Sequence, residues 1–273
     1  MVQKETSNLN KTYAIDGGLS GRNRLDVLSS VMNPYSIQRL QGLEIQPGMH
    51  CLDAGCGNGS MTFEIAEMVK ENGSVIGLDL DPLMINENQK LAKSSGKAQI
   101  QFIHGNISEV SDHQLFDLVY SRFLLSHLKD PVATLRIMYK ALKPGGVVLI
   151  EDIQFSGHFS YPENDAFKVY QEWYKTVVDR RGGDVELGSR LHEIIRLAGF
   201  ELHDVHIVQP AGFNNLAKQI GLITLERIEN ALLSHKITTK AKFDSIRSDL
   251  KKFTDSSSTL IALPRIFQVS AIK

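Results

Sequence analysis

The chain has 273 residues, of which 42% are hydrophobic, and a formal net charge of -1. That length and apolar content suit one domain with insertions, or one domain with a small added lobe. The near-neutral balance offers no pull toward nucleic acid or an anionic membrane surface, and 2 cysteines are too few for a disulfide framework. Residues 1–11 are polar with no apolar core, and no apolar run reaches spanning length. A cytoplasmic chain is therefore the expectation, with no nucleic-acid and no membrane partner.

Residues 1–21 read as a polar arm, followed by a helix over 22–43 with Leu25, Leu28 and Val31 on one side. Asn33-Pro34 is expected to break and restart that helix, as a cap followed by proline in the first turn. A short apolar strand then reaches Asp53 and turns through Gly55, Gly57 and Gly59 into helical spacing at Met61, Ile65, Met68 and Val69. Strand, glycine turn and helix start place bare backbone and free N–H groups where an electron-rich ligand can lie. A second strand over 74–78 ends in Asp79, 20 residues past Gly59, where a carboxylate can grip the two hydroxyls of a ribose.

Asp81-Pro82 is a helix cap with proline at the first position, and that helix should run to about Gly96. A third strand over 99–104 leads to Gly105-Asn106-Ile107, and a fourth over 116–120 leads to Ser121-Arg122. His127 and the cap Asp130-Pro131 precede a helix carrying Leu135, Met138 and Leu142. Pro144-Gly145-Gly146 reverses the chain into a fifth strand over 147–152, ending in Glu151 and Asp152, candidate substrate-facing acids at the carboxyl edge of the sheet where ligands bind in open α/β folds. Beyond it, Phe167, Tyr170, Tyr174 and Val177 recur at helical spacing with Trp173 alongside. A helix over 189–198 stops at Gly199, a sixth strand covers 200–208, and the last strand is expected over 259–271. Pro264 suggests an edge position or a bulge there, with antiparallel pairing.

The spacing Asp53-x-Gly55-x-Gly57-x-Gly59 differs from a dinucleotide fingerprint, whose third glycine would fall on Ser60. Together with Asp79 and Leu142-Lys143-Pro144-Gly145-Gly146, it resembles the class I S-adenosyl-L-methionine-dependent methyltransferases of the small-molecule type. The resemblance implies an α/β fold, a doubly wound, mostly parallel seven-stranded sheet with an antiparallel last strand and added helices. It implies S-adenosyl-L-methionine as cofactor and a small-molecule methyl acceptor. Residues 45–208 and 259–273 would form the cofactor-binding domain, under an N-terminal cover at 1–44. Helical insertions at 153–185 and 209–258, the second with one helix through Leu225, Ile228 and Leu232 and another through Phe243, Ile246, Leu250 and Phe253, would form a substrate cover or a contact between two copies of the chain, as in a homodimer.

By the same resemblance, Asp53, Gly55, Gly57 and Gly59 serve the methionine end, Asp79 and Leu80 the ribose side, and Asn106 and Ile107 the adenine. Ser121 and Arg122 line the methyl side, and Tyr13 or Arg24 reaches the cofactor carboxylate. A general base is needed only if the acceptor arrives protonated. His127, Glu151, His158 and Tyr161 are the candidates. No metal-ligand spacing is present, and Cys51 and Cys56 read as small structural residues. Two other readings stand beside this one: a nicotinamide-dependent oxidoreductase on a similar sheet, and a cofactor-binding protein without turnover.

Overall fold

A computed structural model describes residues 18–110, 113–213 and 216–273. Tyr13 lies outside the described residues. Helix α1 (Gly18–Gln41) precedes the alternating part of the fold. There β1 (His50–Ala54), α2 (Ser60–Val69), β2 (Ser74–Asp79), α3 (Pro82–Ser95) and β3 (Ile100–His104) follow one another. β4 (Phe116–Arg122), α4 (Pro131–Ala141) and β5 (Leu142–Gln154) complete it. The short strand β6 (Phe159–Tyr161), α5 (Asp165–Arg180), α6 (Leu191–Leu197), β7 (Glu201–Val208) and β8 (Ala211–Gly212) come next. Helices α7 (Ile220–Arg227), α8 (Glu229–Ser234) and α9 (Lys240–Asp255) lead to β9 (Leu260–Ala262) and β10 (Arg265–Ile272).

Seven strands form one sheet in the order β3-β2-β1-β4-β5-β10-β7, and β6, β9 and β8 form a small antiparallel sheet. β1 pairs in parallel with β2 and β4, and β10 runs antiparallel to both β5 and β7. The central strands β1, β4 and β5 are buried on both faces because helices cover both. Cys51, Leu118 and Tyr120 meet Ile65 and Val69 of α2, while the alternate residues Leu52, Val119 and Val148 meet Leu135 and Met138 of α4. A third core joins Phe167, Tyr170, Trp173 and Tyr174 of α5 to Leu225, Leu232, Phe243 and Leu250 of α7, α8 and α9. Trp173 stacks on Phe243 with ring centroids 6.2 Å apart.

The local caps act as the sequence suggests. Asp81 caps α3 with Pro82 behind it, Asp130 caps α4 with Pro131, and Gly96 closes α3 at φ 69°. Three expectations need correction. Helix α1 runs unbroken through Pro34, because Asn33 Oδ1 accepts from Arg122 Nη2 (3.1 Å) instead of capping its own helix. The expected last strand is two strands, β9 and β10, with Pro264 in the gap between them. β10 lies inside the sheet between β5 and β7, not at its edge, so the proline's missing N–H falls where the chain leaves one sheet for the other. Leu225 and Leu232, read as one helix, belong to two, which meet at Ile228.

Candidate active site

A cavity of about 480 Å³ opens at the carboxyl ends of β1, β2 and β4, where ligands bind in open α/β sheets. One end is the glycine turn. Gly55 and Gly57 have φ of 76° and 52°, angles that other residues rarely adopt. The N–H groups of Gly55 and Cys56 both donate to Leu78 O (2.8 and 3.0 Å), which ties the turn to the end of β2. Asp79 adds a second tie. Its carboxylate accepts from Gly57 N (2.8 Å) and Asp81 N (2.9 Å), while Asn88 of α3 donates to Gly57 O (2.8 Å). The turn is thus gripped from both sides before any ligand arrives. Asn88 escaped the sequence reading. Its one signal is a polar residue on the buried stripe Met84, Ile85, Asn88, Ala92.

Asp53 also lines the cavity. It is buried, accepts from Thr62 Oγ1 (2.6 Å), and burial raises its carboxyl to about 6 against the opposing pull of Thr62 and Arg122. Leu80, Asn106 and Ile107 line the same end. Asn106 doubles as a cap: its side chain accepts from Ser108 N (3.0 Å), and Glu109 accepts from its backbone N–H (3.2 Å).

The wall opposite the turn is α1. Gly21, Arg24, Leu25, Leu28 and Met32 face the cavity at helical spacing. A methyl group on Gly57 would stand 3.3 Å from Leu25, and one on Gly55 3.3 Å from Leu124, so the turn lies close beneath both side chains. Polar bonds hold α1 down. Ser60 Oγ donates to Ser29 Oγ (2.9 Å), Arg122 Nη1 to Ser36 Oγ (3.0 Å), Arg39 Nη2 to Ser270 Oγ (2.7 Å), and Arg24 Nε to Thr224 Oγ1 (3.1 Å).

The far end of the cavity is aromatic. Phe155 and His158 follow β5, Tyr170 and Tyr174 come from α5, and Ile220, Leu263 and Ile266 complete it. Phe155 stacks on Tyr174 at 4.7 Å. His127 and His158 both line the cavity, and burial lowers them to about 4 and about 3, so both imidazoles are neutral at ordinary pH. Arg24 and Arg181 add to the effect at His127.

Four expected site residues do not line this cavity. Ser121 is buried and donates to Ala54 O (2.8 Å), a bond that fastens β4 to β1. Gly59 starts α2, and a methyl group there would stand 2.8 Å from the Phe102 ring, so its role is close packing. Glu151 is fully buried and accepts from Ser36 Oγ (2.6 Å), Tyr120 OH (3.0 Å) and Gln268 Nε2 (2.7 Å), which leaves it no opening as a base. Tyr161 is 72% exposed on β6 and faces away. Asp152, expected beside substrate, is likewise buried; it accepts from Ser126 N (2.9 Å), and burial raises it to about 6.

A family profile described as "Methyltransferase domain" matches residues 45–199. The chain belongs to the methyltransferase-domain family. Demethylmenaquinone methyltransferase of Bacillus cereus (strain ATCC 10987 / NRS 248) is 30% identical over 132 residues, covering 46% of this chain and 56% of that protein. Phosphoethanolamine N-methyltransferase 3 of Arabidopsis thaliana is 34% identical over 161 residues, 58% of this chain and 30% of that protein. The chain thus matches about half the length of the first of these relatives and less of the second. Among solved structures, a putative methyltransferase from Bacillus halodurans superposes with TM-score 0.57 at 21% identity, over 87% of this chain and 98% of that one. Phosphoethanolamine N-methyltransferase 2 of Haemonchus contortus, solved with phosphomonomethylethanolamine and S-adenosylhomocysteine, gives 0.52 at 23%, over 92% and 52%. At these identities the likeness to solved structures is one of fold. The methyltransferase match covers the sheet from β1 to the end of α6 and so takes in the glycine turn, Asp79 and Asn106.

Proposed function

We propose that this methyltransferase-family chain binds S-adenosyl-L-methionine and methylates a compact, partly apolar small molecule. The observation that carries the reading is the Asp79 carboxylate, fixed against a bare glycine turn at one end of a cavity whose other end is aromatic. The residues fit the cofactor in kind. Gly55 and Gly57 let a ligand lie against main chain, and Asp79 has lone pairs left for two ribose hydroxyls. Leu80 and Ile107 offer apolar faces to a purine, with Asn106 at its edge. Asp53 suits an ammonium group, and Arg24 a carboxylate. Bound there, the cofactor supplies an electrophilic methyl group on a positive sulfur.

The protein's own work is then alignment and exclusion of water. Helix α1 closes one wall and α5 the other, with Arg122 bonded to Asn33 and Ser36 to keep α1 seated. The insertion helices α7, α8 and α9 back α5, so residues 209–258 act as part of the cover.

Isothermal titration of the full chain with S-adenosylhomocysteine and with NAD in separate runs tests the cofactor. Binding of the first and not the second is the expected result, and binding of NAD alone overturns the reading. Incubation with methyl-labelled S-adenosyl-L-methionine and a metabolite extract should yield a labelled small molecule. Label found only on macromolecules would refute the small-molecule acceptor.

A further inference from the structure

At the aromatic end of the cavity everything about His158 is fixed except its two ring nitrogens. The turn before it is clamped: a methyl group on Gly157 would stand 2.7 Å from Arg265 Cγ, and Gln209 Nε2 donates to Gly157 O (2.6 Å) and Leu263 O (2.9 Å). Gln171 Nε2 donates to the His158 carbonyl (3.2 Å), and the His158 N–H donates to Phe155 O (3.0 Å). The ring is set by three aromatic neighbours, Phe155 at 4.8 Å, Phe167 at 5.2 Å and Tyr170 at 6.2 Å between centroids, each near perpendicular. Among the described residues neither Nδ1 nor Nε2 has a hydrogen-bond partner, although the residue is only 8% exposed and lines the cavity. Buried polar atoms of native proteins are almost always partnered, so a pair left open inside a cavity marks a place for a ligand.

The ligand's chemistry follows from what surrounds the ring. Held neutral by burial, the imidazole offers one N–H and one lone pair. The acids that line the cavity, Asp53, Asp79 and Asp81, stand at the ends of β1 and β2, by the glycine turn. Beside His158 the lining is Phe155, Tyr170 and Tyr174, with the Arg24 cation close enough to act on both phenols, and among the described residues that line this end none is a carboxylate to balance a protonated amine. A hydroxyl is the smallest uncharged group that can meet a neutral imidazole by either donating or accepting.

We infer that the aromatic end of the cavity receives an uncharged, hydroxyl-bearing apolar molecule whose hydroxyl is anchored on the His158 ring. The inference rests on the proposed methyl transfer only in identifying this molecule with the methyl acceptor. It makes an oxygen compound, rather than an amine cation, the preferred occupant.

The test is isothermal titration of the full chain with three probes: 2-naphthol, 2-methylnaphthalene and protonated 2-naphthylmethylamine. The chain should bind 2-naphthol about tenfold tighter than the ammonium probe, and H158F should weaken 2-naphthol about tenfold while leaving 2-methylnaphthalene unchanged. H158Q, which keeps a donor and an acceptor, should restore 2-naphthol binding to within about threefold. H158F replaces two open polar atoms with an apolar ring of similar shape, so its Tm should rise by about 2 °C. A fall in Tm, which a structural histidine would give, overturns the inference. So does unchanged 2-naphthol affinity in H158F, or preference for the ammonium probe. S-adenosylhomocysteine, titrated in parallel, should bind the native chain and H158F equally. Its failure to bind the native chain would remove the proposed methyl transfer while leaving the naphthol result to be judged alone.

Discussion

Asp79→Asn separates the two tasks of that carboxylate. In the structure Oδ2 accepts from Gly57 N at 2.8 Å and Oδ1 from Asp81 N at 2.9 Å, so the group shapes the glycine turn as well as facing the cavity. Asparagine keeps the size and one acceptor oxygen, and turns an amide N–H₂ toward the other backbone donor. One such bond is lost, but so is a partly buried charge whose carboxyl is raised above its usual range by burial. The two effects oppose each other, and the net change in folding stability should stay within about 1 kcal/mol. Ligand affinity has no such compensation. A hydrogen bond from a ribose hydroxyl to a charged acceptor is worth about 1.5–3 kcal/mol, so losing one should weaken S-adenosylhomocysteine about tenfold to a hundredfold. Titration calorimetry gives the affinity and the urea midpoint gives the stability. Affinity changed less than about threefold in a variant that folds normally would refute the ribose assignment. Asp79→Ala is the poorer test: it strands both backbone donors, so lost binding there would not distinguish the ribose from the turn.

Glu151→Ala should cost at least about 3 kcal/mol in a urea melt, because it strands the Ser36, Tyr120 and Gln268 donors in the core; a loss under about 1 kcal/mol would mean that the network is not formed. Gly59→Ala should destabilise by more than Gly96→Ala. Both have positive φ, worth about 1 kcal/mol, but a methyl on Gly59 would meet the Phe102 ring at 2.8 Å while one on Gly96 meets nothing within 4 Å. Equal losses would show that Phe102 yields freely. For His158 the folded value, about 3, lies below the ordinary 6.5, so the unfolded chain binds the extra proton between those limits and stability is lost as pH falls. Asp53 and Asp152, both raised to about 6, act in the opposite sense from about pH 6 down to 3.8, so the native curve alone hides the histidine. The difference between the native chain and H158F exposes it: from pH 7 to 5 the native chain should lose about 2 kcal/mol relative to H158F. A flat difference would mean that the ring is solvated.

What the sequence made legible was the chemistry carried by neighbours in the chain. The glycine turn, the strand ending in Asp79 and the capping pairs Asp81-Pro82 and Asp130-Pro131 are each decided within a few residues, and each stands where its pattern puts it. The failures share a different cause. Glu151 and Asp152 look like solvated acids at the end of a strand, yet Glu151 is fully buried because its donors arrive from Ser36 and Gln268, 115 and 117 residues away. Pro34 should interrupt α1, yet the helix persists because Arg122, 89 residues on, takes the Asn33 oxygen that would have capped a restart. Ser121 falls at the site by position and is turned from it by Ala54.

The same cause explains why four candidate bases could not be ranked from their spacing. A carboxylate or imidazole acts on a ligand only if the fold leaves its polar atoms open, and that depends on distant partners. Glu151 has three donors and no opening, Tyr161 has solvent and no cavity, and the His158 ring has a cavity and, among the described residues, no partner. Burying an unpartnered polar ring costs stability unless something else completes it. The clamped backbone around His158 keeps the chain from relieving that cost by turning the ring elsewhere, so the open nitrogens are a built feature of the cavity rather than slack in it.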